Sequence, residues 1–330
     1  MVKLYPLLMK PLFDPRPWGR FDLAPIYSQP FREKIGESWL TGDHCQVGNG
    51  PLGGQSLSQL ASEYRRALVG DAPAEDGRFP LLLKFLFPQE KLSVQVHPDD
   101  HAARELGEPW GKTECWYVAH AEPGAEIGLG LKPGVTRAEL ERSIGDGRAE
   151  ELLNWIQVSP GEMIYVAGGT VHTLGPGSIM VETQQQSDTT FRLYDYGRGR
   201  ELHLEAGLRV VKEHAGSGKV RPQPVTKLDD GNQRQLLIAA GYFVVEKFVL
   251  DAIHHFPPLQ GKSSVQILVA IDGAATVHAS NWDAVGFKKG DALVIAAGIE
   301  QFGIQPCPQV QFLRAFVPGT RVAEPEVSLE

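Results

Sequence analysis

P-G-E-M-I-Y-V-A-G-G-T-V-H (160–172) and K-G-D-A-L-V-I-A-A-G-I-E-Q (289–301) follow one plan: a Pro-Gly or Lys-Gly turn, an acidic residue, an apolar strand and a glycine turn, at the same spacing. They read as one β unit used twice. In this register His172 of the first copy corresponds to Gln301 of the second, so the repeat keeps the fold and drops the histidine. Around the two copies, 36 glycines and 24 prolines punctuate more short runs rich in Val, Ile, Leu and Phe. L-L-L-K-F-L-F (81–87), S-V-Q-V-H (93–97), C-W-Y-V-A (115–119), S-I-M-V-E-T (178–183), F-R-L-Y-D-Y (191–196), Y-F-V-V-E-K-F-V-L (242–250) and V-Q-I-L-V-A-I (265–271) are predicted strands. Many short strands between turn signals predict a mainly β sandwich or barrel. Apolar residues at three- and four-residue spacing predict helices in 56–68, 136–156 and 201–212, which would decorate the β scaffold. The polar stretch 213–232 has linker composition, and it divides the chain into an expected N-terminal domain, 1–220, and a C-terminal domain, 221–330.

Composition limits what such a chain can do. With 330 residues, 42% hydrophobic and 22% charged, it can bury a large core and carry a complete enzyme. No apolar run approaches the roughly 18 residues of a membrane span, and M-V-K-L-Y-P-L-L-M-K lacks the continuous apolar stretch of a secretory leader. Cys45, Cys115 and Cys307 are odd in number and far apart, which argues against a disulfide framework and a thiolate zinc site and suits a reducing cytoplasm. The net charge of −8 disfavours a nucleic-acid surface, so an anionic ligand would need a locally positive pocket.

The residue types for such a pocket recur at strand spacing. In S-V-Q-V-H-P-D (93–99), Gln95 and His97 share one face of an extended strand and Val94 and Val96 the other. In G-K-T-E-C-W-Y (111–117), Lys112, Glu114 and Trp116 share a face. G-E-P-W-G-K-T is not a phosphate loop, because it has one residue too few between its glycines and a strand follows where a helix is required. Gln95, His97, Glu114 and His172 together offer an amide, two imidazoles and a carboxylate, a nitrogen and oxygen ligand set suited to zinc or another divalent metal. Carried on separate strands, they would hold the ion on a rigid wall with room for substrate.

These motifs resemble those of a known family. L-L-L-K-F-L-F-P-Q-E-K-L-S-V-Q-V-H-P-D-D, G-K-T-E-C-W-Y, the G-T-V-H turn and V-E-T-Q-Q-Q-S-D-T-T-F-R-L-Y-D-Y-G-R resemble type I mannose-6-phosphate isomerase, a zinc-dependent family with two cupin domains. I-G-E-S-W near the start and G-R-E-L-H-L-E-A after the arginine agree. The resemblance implies zinc and two cupin-type (jelly-roll) β-sandwich or barrel domains; with Gln301 in place of His172 and no H-x-H or Q-x-H pair in the second, only the first is expected to carry metal, one Zn2+ per chain. It implies Gln95, His97, Glu114 and His172 as metal ligands, and Lys84, Ser93, Lys112, Glu182 and Arg192 as the lining of the sugar-phosphate pocket. Its reaction interconverts mannose 6-phosphate and fructose 6-phosphate by moving a proton between C1 and C2 through an enediol or enediolate, which needs an acid and base pair and charge stabilisation. Arg192, Lys112 and Glu182 are the candidate catalytic groups and Lys84 and Ser93 the candidate binding groups. The base is open among Glu182, His97 and Lys112, with Glu182 favoured because a metal-bound histidine is a poor free base and a lysine would need a lowered pKa. The chain departs from the family at E-S-W-L-T-G and in the Thr-Leu that follows His172, both of which bear on the grip on the sugar. Two readings from other classes compete: an iron-dependent cupin dioxygenase and a non-catalytic sugar-phosphate-binding metallo-cupin. The oligomeric state is open.

Overall fold

The computed structural model describes residues 2–72, 77–259, 263–279, 282–319 and 322–329. Among them the two copies of the repeat adopt the same structure, with strands Met163–Val166 and Ala292–Ile295 set between matching turns. The acidic residue braces the turn in each: the Ser159 amide donates to Glu162 Oε2 and the Lys288 amide to Asp291 Oδ2, both at 2.9 Å. Gly161 and Gly290 sit at φ +94° and +89°, a region that disfavours a side chain, which is why both copies turn on glycine.

The described strands form antiparallel sheets of ten, eight and five strands. The eight-stranded sheet runs Leu12–Arg20, Ile35–Trp39, Leu81–Leu86, Ser178–Gln185, Glu114–Ala121, Met163–Val166, Gly218–Val220, Val327–Ser328. The five-stranded sheet runs Phe191–Tyr194, Val94–Val96, His172–Leu174, Glu126–Leu131, Leu153–Gln157. The ten-stranded sheet is built mainly from residues beyond 225 but also takes Leu7–Lys10, where Leu7 pairs with Val294. Since Val327–Ser328 joins the eight-stranded sheet, strand pairing crosses the expected boundary at residue 220 at both ends of the chain. The stretch expected to be a linker contributes Gly218–Val220 and Thr226–Lys227 to two different sheets.

Packing follows the alternation of the strands. One face of the eight-stranded sheet, with Leu83, Phe85, Tyr117 and Val181, shares a continuous core with the ten-stranded sheet. Its other face, with Leu86, Trp116, Val118 and Met180, meets Ile127, Leu129 and Leu174 of the five-stranded sheet. Behind that third layer, Val94, Val96, Leu153 and Leu193 pack on Leu140 and Ile144 of helix Arg137–Gly145 and Val210 of helix Leu204–Val210. Burying each such side chain contributes roughly 1.5–3 kcal/mol, so Val94 and Val96 lock the strand with Gln95 turned the opposite way, into the sandwich.

Helices form near the predicted places, with two differences. A-E-E-L is a single 3-10 turn, Ala149–Leu152, and Leu153–Gln157 that follows is a strand. Leu153 and Ile156 fit helical spacing, but pairing with Glu126–Leu131 gives their backbone groups partners and overrides it. Helix Asp100–Glu105 is additional, capped by the Asp99 side chain, which accepts the Ala102 amide. No helix among the described residues is long and apolar enough to cross a membrane.

Candidate active site

The site lies between the eight- and five-stranded sheets. Glu114 and Glu182 project from neighbouring strands of the larger sheet; Gln95 and His172 are paired across the smaller one, and His97 follows the Val94–Val96 strand directly. His97, Glu114 and His172 are all buried and offer ligand atoms within 4.8 Å of one another. Gln95 Nε2 is 3.3 Å from His172 Nε2, so all four residues predicted as ligands converge.

Whether these residues fit a cation can be judged from their hydrogen bonds. The His97 Nδ1–H donates to the Thr189 carbonyl at 3.0 Å and the His172 Nδ1–H to the Thr170 carbonyl at 2.9 Å. Each bond fixes the ring and leaves the Nε2 lone pair facing Glu114, at 3.6 Å from His97 and 3.5 Å from His172. Among the described residues, His97 Nε2 and both Glu114 carboxylate oxygens are buried without a hydrogen-bond partner. Burial, then Lys112, holds His97 well below the usual histidine range, and burial brings His172 down to about 4, so both rings are neutral. Burial, then the charge of Glu182, pushes Glu114 up to about 8. Two neutral imidazoles and an orphaned, desolvated carboxylate turned toward one point form a donor set that a divalent cation satisfies.

Beside this cluster opens a cavity of about 440 Å³, lined by Arg16, Glu37, Lys84, Ser93, Gln95, Lys112, Glu182, Asp188, Arg192 and Arg200 among others. The five residues predicted for a sugar-phosphate pocket thus face one space. Glu182 is held on both oxygens, by Lys84 at 3.2 Å and by the Trp116 indole N–H at 3.1 Å. Lys84 also meets Glu37 at 3.1 Å; burial opposes its charge, but Glu182 and Glu37 prevail and hold its pKa above the ordinary lysine value. Burial likewise opposes the Glu37 charge, and Lys84 and Arg16 prevail, bringing that carboxylate down to about 2. Lys112 lies 3.4 Å from Glu114. Arg16 is bound by Asp14 and Glu37, and Arg200 by Asp195. Arg192 differs from these cations: its Nη1 donates to the Glu201 carbonyl at 2.7 Å, and among the described residues no carboxylate pairs with it. Burial and then Arg200 lower its pKa, against the opposing charge of Asp195.

Sequence reasoning missed Arg16, Glu37, Asp188 and Arg200. Glu37 stood in I-G-E-S-W and Arg200 in G-R-E-L-H-L-E-A, but neither had a spacing that pointed to the other wall residues. Also missed was the second unit's interior. Val166 pairs with Glu114, and its repeat equivalent Ile295 pairs with Gln266. Lys84 pairs with Glu182, and at the corresponding place Glu246 pairs with Arg314. The second unit therefore carries the same buried ion pair with its charges reversed, and the Gln266 amide, which accepts from Arg314 at 3.2 Å, where the first unit has Glu114.

This arrangement has counterparts. The chain is 37% identical over 315 residues to the mannose-6-phosphate isomerase ManA of Bacillus subtilis (strain 168), covering 91% of this chain and 96% of that protein. The chain belongs to the mannose-6-phosphate isomerase family. Residues 18–113 match the family model for the catalytic domain of type I phosphomannose isomerase, which includes Lys84, Ser93, Gln95, His97 and Lys112. The mannose-6-phosphate isomerase of Streptococcus mutans serotype c is 33% identical over 90% of this chain and 94% of its own length. The crystal structure of the mannose 6-phosphate isomerase from Bacillus subtilis superposes with a TM-score of 0.83 at 31% identity, over 94% of this chain and 99% of that one. The mainly β, cupin-type architecture expected from the sequence is thus that of the mannose-6-phosphate isomerase family.

Proposed function

We propose that this chain is a metal-dependent mannose-6-phosphate isomerase that interconverts mannose 6-phosphate and fructose 6-phosphate. The observation that carries this reading is the convergence of His97, Glu114 and His172 beside a cavity whose one cation without a carboxylate partner, among the described residues, is Arg192. Gln95, His97, Glu114 and His172 would hold the metal, which we take to be one Zn2+ per chain, in the N-terminal unit. Bound there, a divalent metal supplies positive charge that polarises the carbonyl and hydroxyl oxygens of the substrate.

The protein's own groups account for the rest of the reaction. Glu182, oriented by Lys84 and Trp116, takes the proton from C2 and returns it at C1, while the O2 hydroxyl proton passes to O1 at the stage of the enediol or enediolate. Lys112 and Arg192 face the negative charge that develops on the sugar oxygens and the charge that the phosphate brings. Ser93, buried in the cavity wall, supplies a hydroxyl to the sugar, and Lys84 adds positive charge at the same wall. Cys45, Cys115 and Cys307 are all free thiols, which supports a cytoplasmic setting. A coupled assay of mannose 6-phosphate turnover, with chelator and with zinc restored, tests the proposal. Loss on chelation and recovery with zinc is expected; binding of the sugar phosphate without turnover by metal-loaded protein would refute it.

A further inference from the structure

The H-P-D-D stretch that follows Gln95 does more than end a strand. Asp100 Oδ1 accepts the Gly111 amide at 2.9 Å and the Gln185 side-chain amide at 2.9 Å. Gln185 Oε1 in turn accepts the Thr113 amide at 2.9 Å, and the Lys112 amide donates to the Pro98 carbonyl at 2.9 Å. Three consecutive amides, 111 to 113, are thus clamped against the corner that carries His97. A Cβ on Gly111 would lie 2.5 Å from the Asp100 nitrogen, so the two segments approach as closely as only glycine permits. The remaining oxygen, Asp100 Oδ2, accepts the hydroxyl of Tyr242 at 2.7 Å. Tyr242 comes from the far side of the 213–232 stretch, just before the Val244–Leu250 strand of the ten-stranded sheet. A small cavity of about 60 Å³ lined by Trp110, Gln185 and Tyr242 borders the clamp.

We propose that Tyr242 is a positioning residue for the isomerisation: through Asp100 it sets the 111–113 segment, and with it the Lys112 ammonium, so that the second β unit contributes to catalysis as well as to the core. The inference rests on the isomerase reading. Tyr242→Phe removes only the hydroxyl. Its kcat is expected to fall about tenfold, as for a displaced charged group, with KM and metal content unchanged. Hydrogen exchange at the Gly111 and Thr113 amides should quicken, a readout independent of activity. In a Lys112→Ala background the same change should have no further effect on kcat, whereas a purely structural loss would multiply with it. Tyr165→Phe is the matched control, because among the described residues that hydroxyl hydrogen-bonds only to Glu324 of the C-terminal segment; its kcat should stay within twofold. If Tyr242→Phe does not fold, Asp100→Asn carries the same test. Wild-type kcat and wild-type exchange in folded Tyr242→Phe would overturn the inference, as would an equal loss in Tyr165→Phe. Absence of turnover in the metal-loaded wild type would instead overturn the isomerase reading.

Discussion

Replacing Glu114 with Gln separates what this carboxylate does for the metal from what it does to the metal-free fold. In the metal-free protein its pKa is pushed from 4.5 up to about 8, because burial and the neighbouring Glu182 oppose its charge. A carboxyl whose pKa is higher folded than unfolded binds its proton more tightly in the native state. The stability it contributes is full below pH 4.5 and is lost as pH rises toward 8. At about 1.4 kcal/mol per pH unit, that climb is worth at most a few kcal/mol, enough to register against the roughly 5–15 kcal/mol that holds a domain folded. Urea unfolding of metal-stripped protein at pH 5, 6.5 and 8 should therefore show stability falling across the series in the wild type and much less in Glu114→Gln. Added divalent metal at pH 8 should restore the wild type and leave the variant unchanged, since a cation takes the place of the proton and the neutral amide is a weak ligand. Parallel pH dependences in the two stripped proteins, or wild-type stability that rises with pH, would refute the reasoning.

His172→Ala should lose metal and activity together, whereas Gln301→Ala, at an exposed position, should keep both; metal analysis beside kinetics checks the pair, with close to one metal per chain in the wild type. Arg192→Ala should keep its metal and fold while turnover drops by roughly two to four orders of magnitude; a rise in KM at unchanged kcat would make Arg192 a binding residue only. Glu246→Ala should cost about 3–5 kcal/mol of stability, because it leaves Arg314 buried without its partner, yet metal content in the folded fraction should be unchanged; thermal unfolding and metal analysis read the two effects.

The strands were legible because their residues repeat with period two and glycine turns bound them. Gln95 and Val94 on opposite faces follow from that period alone, and the structure has Val94 and Val96 packed on the helices behind the five-stranded sheet. The Leu153–Gln157 strand was misread because Leu153 and Ile156 suit a helix equally well, and the partner that decides between them, Glu126–Leu131, is distant in the chain. Asp188 and Arg200 stand within quoted motifs and Arg16 in none, but no spacing links any of them to the other wall residues; they belong to the pocket because strand pairing and two loops bring them to one cavity.

By itself the sequence determined the alternating faces, the repeated turn-strand-turn unit and the chemical character of the ligand set, since each depends on residues close together in the chain. Only the tertiary structure decided which residues answer one another across strands. Antiparallel register, established over separations of 98 and 68 residues, places Glu182 opposite Lys84 in one unit and Arg314 opposite Glu246 in the other. It also puts Glu114 in the first interior and the Gln266 amide in the second. A local pattern cannot carry that information, because a slip of one residue would turn every one of these side chains to the opposite face while leaving the pattern of the chain unchanged.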